Sequence, residues 1–392
     1  MSSKTRITVL LAGISVVAFT LIGGYLGRVS AGEDTYRHLR VFEDVVSLIS
    51  NNYVEEVNLD EVMDGALRGL AEGLDSDSAY LAPEDADRIE RSGPLPDGRV
   101  GLEVTRRYYL QVIAPLEDSP AAEANILPGD FVRAIDGEPT RRLSAIEGRR
   151  LLRGEPGTEV TLSLIRGSTQ EPYDITLTRE AMTAPAAAGR MLADEGAGIG
   201  YLRIPDFGDA AAAGIADAAA ALAGNGATHL IVDIRGTAEG TYDGAVGAAR
   251  LFVADGAIAI REEPGDAQET LEAGNDGAAA IALPVTLLTN YGTSGPAEVF
   301  AAALLDRDRA TSVGQQTSGR TSLQRLVRLP DGAGLWISWA RYVRPSGDAI
   351  HPFGLQPDVP VQVTPPELGE PLPDEDVVLD RAVEEVTGSA GA

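Results

Sequence analysis

The chain has 392 residues, 44% of them hydrophobic, which is too long for one ordinary compact core and suggests two or three domains. A formal charge of −27, from 59 acidic against 32 basic residues, argues against nucleic acid or anionic lipid headgroups as the main partner of the folded part, since both would repel it. Cysteine is absent, which excludes disulfides, thiol nucleophiles and thiolate metal sites; with only three well-separated histidines (His38, His229 and His351), no metal site and no cofactor are expected.

Ile7 to Gly27 is 21 residues without a charge, preceded by Lys4 and Arg6 and followed by Arg28, long enough to cross a bilayer as a helix. Val29-Ser30-Ala31 also resembles a small-residue cleavage site, so an uncleaved anchor and a cleaved signal both stand. Either one places residues from about 32 onward outside the cytoplasm, because basic residues ahead of the helix stay inside. The expectation is a single-pass inner-membrane protein with a periplasmic soluble part and residues 1–31 as its targeting segment.

A helical segment follows over 32–92. Leu39, Phe42, Val45, Val46 and Ile49 recur at three- and four-residue steps; Leu59, Val62, Met63, Ala66, Leu67 and Leu70 form a second apolar stripe ending at Gly73. Asp75-Ser76-Asp77-Ser78 reads as loop, and the run from Ser92 to Gly98, rich in Gly and Pro, marks a boundary. Short β-type runs then occur at Leu102 to Val104, Tyr109 to Ile113, Phe131 to Ile135 and Val160 to Ile165, interrupted by helix-like stretches Pro120 to Asn125 and Ser144 to Arg153. From Gly198 on, apolar strand-length runs (Gly200 to Ile204, His229 to Ile234, Val285 to Thr289) alternate with alanine-rich helices (Ala210 to Ala223, Gly244 to Phe252, Ala297 to Leu305). That order predicts an α/β layer with a largely covered sheet. Residues 366–392 form an acidic tail with one short helix.

Two stretches carry a resemblance. Gly101-Leu102-Glu103-Val104, Pro115 to Ala122 and Leu127-Pro128-Gly129-Asp130 through Asp136-Gly137 are similar to a PDZ domain, here 93–183, with Gly101, Leu102, Glu103 and Val104 as the peptide-binding loop. An exposed strand edge and free N–H groups suit capture of a peptide C-terminus. Gly198 to Phe207, Asp233-Ile234-Arg235 with Gly240, Thr289-Asn290, Ala297-Glu298, Arg341-Tyr342 and Gly354 to Val359 resemble, in order, the C-terminal processing (tail-specific) serine peptidases, family S41; the implied core is 184–365. The resemblance implies an α+β multidomain protein: membrane helix, helical segment, PDZ β-domain and an α/β peptidase core of the ClpP/crotonase type.

It also implies a serine three residues before Glu298 as nucleophile and a lysine base with a glutamine four residues later. Gly295 and Arg320 stand at the two reacting positions, while Gln324 matches. Glycine has no nucleophile, and arginine stays protonated at any relevant pH. Pro296 follows the nucleophile position, where the family's backbone N–H helps hold the oxyanion, and Pro has none. Glu239 replaces one of the family's paired glycines. The sole lysine, Lys4, precedes the membrane segment. The reading is a membrane-anchored pseudopeptidase that binds polypeptide C-termini or unfolded segments, with an active protease as a possible partner. One alternative is an active serine endopeptidase using Ser294 with His229, His351, Asp306 or Glu298 as base; another is a non-catalytic envelope scaffold. Arg320 is expected to bind a carboxylate, either a peptide terminus or an internal acid such as Glu239.

Overall fold

The computed structural model describes residues 37–91, 95–167, 171–192, 198–274 and 280–389. The expected membrane segment, 7–27, lies outside them; among the described residues no helix is long and apolar enough to cross a membrane. The chain divides into a short unit, Met1–Leu67, and a large one, Arg68–Ala392. In the first, the helical periodicity is realised over residues 37–52, and a second helix, Leu59–Glu72, begins there.

Within the large unit, hydrophobic clusters answer separate packing problems. The β-module packs strands Leu102–Arg106, Leu110–Pro115, Phe131–Ile135, Glu159–Ile165 and Tyr173–Thr178, in that order, around Val104, Leu110, Val112, Leu162 and Leu164. Alternation along Glu159–Ile165, with every second residue buried, is the period-two pattern of a sheet with one covered face. Helix Ala145–Leu151 is started by a capping box in which Ser144 and Glu147 satisfy each other's backbone N–H.

The α/β core is a six-stranded sheet ordered Ala188–Met191, Ile199–Arg203, His229–Asp233, Val285–Thr289, Ala310–Gly314, Val359–Pro360. The first pair is antiparallel and the rest parallel. Helices Ala211–Gly224, Tyr242–Ala249 and Pro296–Leu305 bury one face, where small alanines let Phe207, Phe252 and Phe300 cluster, ring centroids 5.1 and 5.6 Å apart. The opposite face is covered by the C-terminal helix Val377–Ser389, through Val378, Ala382 and Val383 on Ile231, Leu288 and Val313. The helix expected in the acidic tail therefore closes the core. Coverage on both faces explains why the central strands read as continuous apolar runs.

An antiparallel sheet adds Ser322–Arg328, Gly334–Val343, Ala257–Glu263 and Ala267–Glu272, and its edge holds one difference from expectation. The segment before the PDZ is more than helical: Ala79–Leu81 pairs with Gly334–Trp336. That strand carries the loop Asp75–Ser78 into the molecule, and Asp77 and Ser78 are buried. The sequence reads this stretch only as a loop; pairing across more than 250 positions buries part of it.

Candidate functional site

The loops leaving the C-terminal ends of the parallel strands meet at one edge of the core, where α/β sheets ordinarily hold their ligands. After Val285–Thr289, the chain makes a pinned turn. Asn290 Oδ1 accepts the N–H groups of Gly236 and Gly292 at 2.9 Å each, and Thr293 Oγ1 donates to Ile234 O at 2.9 Å. The turn delivers Gly295, with φ 57° and ψ −114°, to the start of helix Pro296–Leu305. This sharp strand-to-helix turn is the kind of strained elbow on which a nucleophile is displayed, and here it displays no side chain. A Cβ built at Gly295 would lie 3.5 Å from Arg320 O and 3.8 Å from the Tyr242 hydroxyl, so the space for one exists.

Glu298, three residues on, is fully buried and ties the two reacting positions together. Its carboxylate accepts Gly295 N–H at 3.0 Å, Gly319 N–H at 2.6 Å, Arg320 N–H at 2.8 Å and the Thr317 hydroxyl. Burial raises the Glu298 carboxyl above its ordinary value, against the pull of those donors. Glu298 thus joins the elbow to the 317–321 loop, with glycine at 295 and arginine at 320.

The Arg320 side chain is engaged by an acid far away in the sequence. Its guanidinium grips Asp77 with two bonds, Nε to Oδ2 at 3.0 Å and Nη2 to Oδ1 at 2.7 Å, and the pair is nearly buried. Burial by itself would raise the Asp77 carboxyl, but the Arg320 charge and hydrogen bonds hold it below the ordinary aspartate range. Asp77 in turn holds Arg320 protonated. The expected acid partner Glu239 pairs instead with Arg99 of the β-module. Gly240 keeps the second glycine of the pair for a steric reason: with φ 119°, a Cβ there would meet the Phe207 backbone at 2.4 to 2.6 Å. Gln324 donates to Ser322 O and Ser338 Oγ at 3.1 and 3.2 Å.

Ser294 is 2% exposed and donates its N–H to Thr237 O at 3.0 Å. Among the described residues its hydroxyl makes no hydrogen bond with any of the four bases considered for it. His229 begins its strand, at the end opposite the elbow, and is bonded to Thr286 Oγ1 at 3.0 Å. Asp306 caps the far end of the helix and binds Arg344. Glu298 is occupied as described, and His351 Nδ1 lies 2.9 Å from Gly319 O. Among the described residues no His, Asp and Glu side chains converge as metal ligands would.

Gly101, Leu102, Glu103 and Val104 open the edge strand Leu102–Arg106, which among the described residues pairs on one side only. With helix Ala145–Leu151 it borders a cleft of about 310 Å³ whose lining includes Arg99, Ile146, Arg149, Arg153, Glu239, Gln324 and Trp336. The cleft joins the β-module to the elbow side of the core. Asp77, Arg99 and Thr105 carry no signal in the sequence; each is an ordinary polar residue whose partner is remote in the chain.

A PDZ module on an α/β core, with an elbow, a buried glutamate and a base loop in register, defines the architecture of a C-terminal processing peptidase. The chain belongs to peptidase family S41: the family "Peptidase family S41" matches residues 198–361 and "PDZ domain" matches 111–166. It is 34% identical over 312 residues to a carboxyl-terminal-processing protease of Synechocystis sp., covering 79% of this chain and 73% of that one. A carboxy-terminal-processing protease of Bartonella bacilliformis is 28% identical over 92% of this chain and 84% of its own. Among solved structures, the photosystem II D1 C-terminal processing protease aligns with TM-score 0.66 and 26% identity, covering 82% of this chain and 92% of that chain.

Proposed function

We propose that this member of the family is a pseudopeptidase: a membrane-anchored, extracytoplasmic protein that binds polypeptide C-termini or unfolded segments without cutting them. The carrying observation is the reacting pair itself, an elbow occupied by Gly295 opposite an Arg320 held as a cation by Asp77. No side chain at 295 can attack, and a guanidinium so paired takes no proton. Pro296 at the first helical position supplies no N–H to an oxyanion.

Ligand class follows from the retained parts. Relatives named for carboxyl-terminal processing make polypeptide C-termini the natural ligand. The open edge at Leu102–Arg106 and the cleft arginines Arg149 and Arg153 suit an added strand ending in a carboxylate. Anchoring by residues 7–27, a periplasmic position and service to an active protease complete the proposal; the apolar run and its basic flank support the first two.

The test is incubation of purified protein with an unstructured polypeptide carrying a C-terminal tag. Intact substrate, no labelling by a serine-reactive phosphonate, and tighter binding of free-carboxyl than amidated peptides are expected. Labelling at Ser294 would sink the pseudopeptidase reading, and equal affinity for the two peptides would sink the C-terminus reading.

A further inference from the structure

Two charged residues standing where the resemblance implies others, Arg320 and Glu239, each find a counter-ion outside the parallel sheet of the core. Arg320 reaches Asp77 in the loop ahead of strand Ala79–Leu81, and Asp77 Oδ1 also accepts the Thr105 hydroxyl of the PDZ edge strand at 3.3 Å. Thr105 is 2% exposed. Glu239 reaches Arg99, whose strand Gly98–Arg99 pairs with Arg153–Gly154 of the β-module and with Glu180–Ala181. Both pairs are mostly buried, with side-chain exposures of 13 and 5% for Arg320 and Asp77, and 14 and 20% for Arg99 and Glu239.

We infer that Arg320 and Glu239 have become interdomain locks: with Asp77, Thr105 and Arg99, they hold the PDZ module in one fixed seat over the degenerate cleft. A buried ion pair is weak as a source of net stability, because desolvation offsets the attraction. It is strict about geometry, since separating the partners leaves uncompensated buried charge. The Arg99–Glu239 pair spans the seam directly, and the Arg320–Asp77 pair reaches the module through the Thr105 hydroxyl, so both oppose displacement of the module. Weaker polar contacts follow the same seam: Tyr291 hydroxyl to Gln111 Oε1 at 3.0 Å and Arg203 Nε to Glu117 Oε2 at 2.8 Å. The module's seat is then specified by Arg320 and Glu239 with their partners, and the protein is a receptor of fixed shape. The lock needs no bound peptide and holds whether or not Ser294 has any reactivity.

Amide hydrogen exchange on the full chain, without peptide, tests it. Asp77→Asn and Arg320→Gln should each raise exchange at least about tenfold in both 102–106 and 317–321, because either change frees both sides of the seam. Arg99→Gln and Glu239→Gln should do the same for 98–104 and 237–241. The reversed pair Arg99→Glu with Glu239→Arg should bring exchange back to within about threefold of the parent. Exposed Arg381→Gln, on the terminal helix, should change neither region. Faster exchange confined to the substituted segment, or reversed pairs as loose as the single changes, would overturn the lock. Should Asp77→Asn fail to fold, the less buried Arg99–Glu239 pair decides the same question through its single and reversed variants.

Discussion

Gly295 sits in a backbone conformation that a side chain makes costly, about 1–3 kcal/mol for a non-glycine residue. A serine there would have to be held by the surrounding contacts. Gly295→Ser should therefore lower the unfolding free energy, measured by urea denaturation, by about 1–3 kcal/mol and produce no turnover; a peptidase gained by this one change would remove the base argument. Adding Arg320→Lys should still give no cleavage of an unstructured substrate. Asp77 would face the new ammonium across the same buried site and keep it charged, whereas a general base must be able to lose its proton. The Asp77 carboxyl also sets a pH dependence. Its folded-state value lies below the ordinary ~3.9, so its contribution is full above that value and is lost as pH falls through the folded value. Thermal melts of the parent and Asp77→Asn should differ at pH 7, draw together as pH falls below ~3.9 and converge only below the lower folded value; a gap that persists there would assign the effect to packing.

Helix Pro296–Leu305 joins the residue chemistry to the fold, since every residue from Pro296 to Leu304 is buried. Its Glu298 accepts hydrogen bonds from both the elbow and the 317–321 loop and so holds the two in register. Glu298→Ala strands three backbone N–H groups and the Thr317 hydroxyl, each an unmet donor costing about 1–3 kcal/mol. A loss of at least about 3 kcal/mol is expected by urea unfolding, with the 317–321 loop exchanging faster. A stability change under about 1 kcal/mol would mean that the loop holds itself. At this scale much was legible in the chain. The alternating pattern of Glu159–Ile165, the apolar runs of the parallel strands and the alanine-rich helices are repeats of period two and 3.6 that need no tertiary information. Strand Ala79–Leu81 was not legible, because three residues in a polar setting carry too little pattern to outweigh their neighbours.

Over the whole molecule, the acidic tail shows how composition can mislead about packing. Val378, Ala382 and Val383 cover Ile231, Leu288 and Val313, and Asp376 takes both Nη1 and Nη2 of Arg235 at 2.8 Å. Arg235 in turn binds Asp233, which accepts the Tyr201 hydroxyl at 2.8 Å. Ending the chain after Pro365 should uncover one face of the parallel sheet, at about 1.5–3 kcal/mol for each large side chain left bare. Loss of soluble monomer, or a markedly lower urea midpoint, is the expected result; an unchanged midpoint would show the helix to be dispensable.

The sequence by itself determined the absence of a serine–lysine pair. Gly295, Arg320 and Pro296 are identities, and no folding can supply a hydroxyl, a titratable amine or an N–H that the residue lacks. Local periodicity likewise marked several strands of the β-module and the parallel strands and alanine-rich helices of the α/β core. The tertiary structure alone decided what the replacing residues do. Arg320 was expected to find a carboxylate, and it could have met Glu239; it meets Asp77, 243 positions away, while Glu239 meets Arg99. Charge pairing over such separations leaves no local trace, because it depends on which loops the packed sheets bring to one edge.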